Sequence, residues 1–275
     1  MKRKKLTVYD FLKSKGNRQL SVLFVHNEEE AAAADEAGID MISAAYGMPN
    51  IGINATLDDF KKIREAAPNC FMQLGSPRKP SSEYEAIKFA NEYLSLGADC
   101  VYGGTLSSKW IKAMRRENIP VVSHVGLIPA KASWIGGFRA IGKTADEAIG
   151  VLRHTLELQD AGVIGVEFEV VPTAIAEYVT NKVDIITMSM GSGSVCDAQY
   201  LFSNDVLGWT EGHIPRHAKV YRDFNKEYER LQGERVSAFK EFHQDTINKK
   251  FNDPKITVSI EERELENFLK MAEKL

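Results

Sequence analysis

Three joints in this chain rhyme. "EAGIDMIS" (36–43), "SLGADCVYGG" (95–104) and "DAGVIGVEFE" (160–169) each set a glycine between a helical stretch and an apolar run. Glycine accepts the left-handed backbone that stops a helix, so each joint reads as a helix end feeding a strand. Further apolar runs are "SVLFVHN" (21–27), "CFMQLGS" (70–76), "VVSHVGL" (121–127) and "VDIITMSMGSG" (183–193). Between the runs lie helical stretches such as "TLDDFKKIREAAP" and "TADEAIGVLRHTLELQDAG", which Thr56 or Asp58 and Thr144 can cap. The runs are nearly continuous in apolar residues, as parallel strands covered on both faces are. Seven successive strand–helix units predict an α/β fold, a (β/α)8 TIM barrel, with the eighth unit near "SNDVLGW" (203–209). An open doubly wound sheet is the rival. The first run lacks a glycine-rich phosphate fingerprint, which counts against a dinucleotide-binding version.

From about His217 the chain becomes charged with a helical apolar period. The expected division is a barrel over 1–225 and a C-terminal helical extension over 226–275 that packs on the barrel or on an oligomer neighbour. The formal net charge of −3 argues against nucleic acid or an anionic membrane surface as partner, since both want clustered basic charge. No apolar run approaches the roughly 18 residues of a membrane helix. "MKRKK" leads into polar sequence rather than a secretory apolar segment. Cys70, Cys100 and Cys196 are isolated and read as small buried hydrophobes in a reducing compartment. The expectation is a cytoplasmic protein.

In a parallel barrel, chemistry sits at the C-terminal ends of the strands. Polar residues expected there are His26, Asn27, Ser43, Tyr46, Gln73, Ser76, Tyr102, His124, Glu169, Ser189 and Ser192, with Arg78 and Lys79 just beyond the third strand. Such convergence suits a small-molecule site. In "VEFEVVP" (166–172), Glu167 and Glu169 share one face of a strand. Glu169, nearer the mouth, is the candidate functional carboxylate. Glu167 lies deeper and reads as an interior ion-pair or hydrogen-bond partner. "GSGS" (191–194) before a helix start would present backbone N–H groups to an anion, or be an ordinary turn. His154 reads as a helix-face residue.

Four stretches in order resemble the ketopantoate hydroxymethyltransferase family, of the phosphoenolpyruvate mutase/isocitrate lyase superfamily. "VVSHVGLIPAKASWIGGFRAIGKT" is similar to its "HxGLxPQ…GGxxxQG" and "FEVVP" to its "ECVP". "MGSGSVCDAQ" is similar to its "IGAGxxxDGQ" and "EGHIPRHAK" to its "xxxxPKFxK". The resemblance runs from about residue 6 to residue 225. It implies a barrel enzyme that deprotonates a 2-oxo acid beside its carbonyl and adds the enolate to a one-carbon unit from methylenetetrahydrofolate. In the family, magnesium held by two aspartates chelates the substrate, and a glutamate removes the proton.

Carried over by position, Glu169 matches the family's catalytic glutamate and His124 its substrate-side histidine. The family's "VGDSLGM" faces "SAAYGM" here, with Ala44 or Ala45 at the first acid's place. Its "ADLPF" faces "LGSPR", which puts Gly75 at the second. Its "VKxEGG" faces "VYGGTL", which puts Tyr102 at the lysine and Gly104 at the glutamate. Neither magnesium nor the folate carrier is therefore carried over as an expectation. The expected enzyme performs aldol- or enolate-type chemistry on a small oxo- or hydroxy-acid, with Glu169 and His124 catalytic. Ser43, Tyr46, Gln73, Ser76, Arg78, Lys79 and Tyr102 are the expected substrate-binding residues. An inactive barrel that binds a small acid or a partner is the alternative, and an ordinary hydroxymethyltransferase the third reading. The family's ring assemblies and the amphipathic C-terminal helices imply a homo-oligomer.

Overall fold

The computed structural model describes residues 4–45, 56–75, 80–212 and 214–275. Eight strands form a closed barrel: β1 Leu20–Phe24, β2 Met41–Ala45, β3 Phe71–Gly75, β4 Cys100–Tyr102, β5 Val121–Gly126, β6 Gly165–Glu169, β7 Ile186–Met190 and β8 Ala198–Phe202. Each strand pairs in parallel with the next, and β8 closes on β1. A short α1 (Val8–Lys13) precedes the barrel. Around the strands run α2 (Glu28–Ala37), α3 (Leu57–Ala66), α4 (Glu83–Ser95), α5 (Ser108–Arg116), α6 (Ala145–Ala161) and α7 (Thr173–Thr180). A short α8 (Ser203–Leu207) follows β8.

The joints behave as their sequence requires. Gly38, Gly97 and Gly162 take φ of 85°, 92° and 91° after α2, α4 and α6. The helix starts are capped by Asn27, Thr56, Ser82, Ser107 and Thr144 side chains, each accepting a backbone N–H from the first turn. Asn27 is thus a helix cap rather than a mouth ligand.

Strand alternation sorts the apolar residues into two sets. Ile42, Leu74, Val101, Val125, Val166 and Phe168 point outward and pack in the layer shared with the helices. Val22, Met41, Phe71, Cys100, Val122 and Met188 point inward and fill the barrel. Gly165 is the inward position at the start of β6, where a Cβ would stand 2.9 Å from the Ile186 carbonyl oxygen and in ordinary contact with Phe11 of α1. Phe11 stacks on Phe71 at 5.0 Å between centroids and closes the N-terminal end of the barrel.

The eighth unit lies where it was expected. "SNDVLGW" contains α8, and the strand is the preceding "AQYLF". Residues 191–197 join β7 to β8 without a helix. "GSGS" therefore runs towards a strand and has no helix N-terminus to offer an anion. Residues 1–222 and 223–275 form two units; the second holds α9 (Phe224–Ile247) and α10 (Glu262–Ala272). Among the described residues no helix is long and apolar enough to cross a membrane.

Candidate active site

Inward positions near the C-terminal ends of the strands carry polar groups instead of the apolar filling below them. Pairing registers set them side by side: Ser43 opposite Gln73 on β2 and β3, and His124 opposite Glu167 on β5 and β6. Gln73 Nε2 donates to Ser43 Oγ at 3.1 Å and to Glu167 Oε1 at 2.9 Å. Ser43 also hydrogen-bonds the Tyr200 phenol of β8. Tyr102 Oη and His124 Nδ1 lie 2.9 Å apart, hydrogen-bonded. Glu167 Oε2 stands 3.3 Å from the same Nδ1, and Glu169 Oε2 stands 3.1 Å from Nε2. The imidazole thus lies between two carboxylates.

The electrostatics follow from burial. Glu167 is raised from the ordinary carboxylate value to about 7, chiefly by loss of water, with the Glu169 charge adding and His124 and Gln73 opposing. Burial also pushes the Tyr102 and Tyr200 phenols well above their usual value, reinforced by the carboxylates. Both stay neutral at physiological pH and keep a hydrogen to donate. Glu169, at the rim, is the more exposed carboxylate, with side chains of 16% against 5% for Glu167.

The chain turns sharply just after Glu169. Val170 takes φ of 51°, a strained conformation for a β-branched residue. It is held by Val170 N–H donating to Met190 O at 2.8 Å and by Val171 N–H donating to Ser192 Oγ at 3.2 Å. Ser192 Oγ donates in turn to Phe168 O at 3.0 Å, and Ser189 Oγ accepts from Ser192 N–H. These serines, expected among the polar residues of the mouth, are buried braces for the end of β6. Opposite them, Gly126 (φ 87°) admits the Glu169 carbonyl where a Cβ would collide, and Leu127 N–H donates to that carbonyl at 2.9 Å. The turn fixes where the Glu169 carboxylate stands.

Of the expected site residues, Ser43, Gln73, Tyr102, His124 and Glu169 come together here. Tyr46, Ser76, Arg78 and Lys79 lie outside the described residues. His26 stands on the β1/β8 side, with Nε2 3.1 Å from Asn204 Oδ1 and its ring against Trp209. Sequence reasoning missed Tyr200, because it placed the eighth unit without bounding its strand. The alternation in "AQYLF" was the available signal.

A magnesium site of the kind the resemblance implies does not fit these residues. A Cβ at Gly75 would stand 2.8 Å from Tyr102 Cβ. A Cβ at Gly104 would collide with the Tyr102 hydroxyl and stand 2.5 Å from Cζ and 2.7 Å from His124 Cβ. The Tyr102 ring fills the space that a side chain at 104 would need, and at 75 the close contact is with the Tyr102 Cβ.

A parallel eight-stranded barrel with a buried polar centre at its C-terminal mouth defines the class of protein. A sequence profile of the ketopantoate hydroxymethyltransferase family matches residues 5–254, and the chain belongs to that family. It is 31% identical to a 3-methyl-2-oxobutanoate hydroxymethyltransferase of Kosmotoga olearia, over 90% of this chain and 96% of the relative. It is 35% identical to the enzyme of that name from Hyperthermus butylicus, over 80% and 82% of the two chains. In fold it is similar to a phosphonopyruvate hydrolase, with a TM-score of 0.54 at 11% identity over 97% of both chains.

Proposed function

We propose that this protein makes or breaks a bond next to the carbonyl of a small 2-oxo acid through an enolate, without the magnesium site of its family. Glu169 takes the proton from the carbon beside the carbonyl. The electron pair moves onto the carbonyl oxygen, where neutral donors at the mouth, Tyr102 Oη foremost, meet the growing charge. The observation that carries this reading is the Tyr102 ring, seated where a side chain at 104 would stand, with its hydroxyl against His124. A carboxylate with no task at this mouth would be an expense, and the strained turn after Glu169 gives it a defined position.

The test is a panel of small 2-oxo acids incubated with the protein in D2O and followed by NMR. Exchange of the hydrogen beside the carbonyl is expected for at least one of them. Tight binding without exchange for any acid would make this a small-acid-binding barrel instead.

The chain also forms a homo-oligomer in this reading. Support comes from α9 and α10, where Phe239, Phe242, Phe268 and Met271 are all exposed. Light scattering should give a mass above the 30.7 kDa of one chain; a 30.7 kDa particle at micromolar concentration would contradict it.

A further inference from the structure

The resemblance assigns a task to one carboxylate of "VEFEVVP", yet two of them flank one imidazole. We propose that His124 is a proton bridge between Glu169 and Glu167, with Glu167 the inner acceptor that sets the imidazole tautomer and thereby holds or releases the Tyr102 hydroxyl. The inference rests on Glu169 as the group that first takes the substrate proton.

The geometry is compatible with two protonation states. His124 Nε2 is buried, 3.1 Å from Glu169 Oε2, and makes no aligned hydrogen bond among the described residues. On the other side of the ring, Nδ1 faces both Tyr102 Oη at 2.9 Å and Glu167 Oε2 at 3.3 Å. With Glu167 ionised, the imidazole proton belongs on Nδ1, facing the carboxylate, and Nε2 presents a lone pair to Glu169. Tyr102 then cannot donate to Nδ1, and its O–H is free to turn to an oxygen in the mouth. With Glu167 protonated, the imidazole proton belongs on Nε2, facing an ionised Glu169, and Nδ1 accepts from Tyr102. The phenol is then tied.

The transfer balances. The substrate C–H bond breaks, its electron pair forms the enolate, and the proton goes to Glu169. Glu169 passes a proton to Nε2 while Nδ1 gives its own to Glu167. Glu169 returns to a carboxylate, His124 remains neutral in the other tautomer, and Glu167 becomes the neutral acid. Reversal returns the proton to carbon without an external acid.

The groups that face Glu167 are Gln73 on β3, Cys100 and Tyr102 on β4, His124 on β5, Glu169 on β6 and Tyr200 on β8. Cys100 and the two phenols are raised by burial and remain neutral. Glu167, raised to about 7, ionises near neutrality, while Cys100 and the two phenols do not. The acceptor is therefore ready only above that pH.

The test reads His124 directly, so it stands apart from turnover. In protein labelled with ¹⁵N-histidine, the His124 tautomer should change from Nε2–H to Nδ1–H as pH rises through about 7. Glu167→Gln, which keeps the shape, should abolish the change. Glu167→Leu, which removes the acceptor, should do the same if the amide disturbs folding. For an acid that exchanges, the wild-type rate should rise about tenfold from pH 6 to pH 8, as one ionisation near 7 requires, and Glu167→Gln should flatten the rise. A single His124 tautomer from pH 5 to pH 9 would overturn the inference whether or not any acid exchanges. If exchange occurs and its pH profile is the same in Glu167→Gln, the bridge fails while the assignment of Glu169 stands.

Discussion

Glu169→Gln should lower kcat by about 10²–10⁴-fold, the usual cost of removing a general base, with little change in binding of the same acid. The amide keeps the length and shape of the side chain at the end of β6. It can still fill the space 3.1 Å from His124 Nε2, but it takes no proton from carbon. The strained Val170 turn and its bonds to Met190 and Ser192 are made by backbone and by Ser192, so the local fold should survive. Turnover by Glu169→Gln at the wild-type rate, with binding intact, would remove Glu169 from its role.

The second large effect is steric. Gly104→Ala should destabilise the barrel by about 1–3 kcal/mol, the range for overpacking a filled interior, because the new methyl collides with Tyr102 and crowds His124 Cβ. It should also displace the phenol from Nδ1 and slow turnover. Tyr102→Ala leaves a cavity and is costly by itself, yet it removes the obstacle at 104. Urea unfolding of the double variant should therefore show less destabilisation than the two single costs added together, as touching residues do. Activity should stay low, since the hydroxyl is gone. Strictly additive stabilities would mean that Tyr102 does not occupy the space at Gly104.

The barrel was legible where one local signal repeats. A helix-stopping glycine before an apolar run recurs three times, and each glycine takes the left-handed φ the pattern demands. Legibility failed where that rhythm breaks. β7 and β8 are joined without a helix, so the eighth unit could be placed near "SNDVLGW" but its strand was not bounded, and Tyr200 was overlooked. Phe11 is a single residue of a six-residue helix, and nothing local says that it plugs a barrel. The site was half legible. Period-two alternation puts Glu167 and Glu169 on one face, and the resemblance picks out Glu169 and His124. The partners of Glu167 were not legible, because Gln73 meets it across the barrel from 94 residues away. The replaced acids at 75 and 104 were visible as letters. Their physical connection was not, since only the folded barrel brings both glycines against the ring of Tyr102.

The most direct measurement is the exchange of the hydrogen beside the carbonyl of an active 2-oxo acid in D2O, after exhaustive chelation of the protein. With neutral donors at the mouth, Tyr102 foremost, meeting the growing charge, the rate should be the same before and after chelation, and added magnesium should leave it unchanged. Loss of exchange on chelation, restored by magnesium, would contradict the reading.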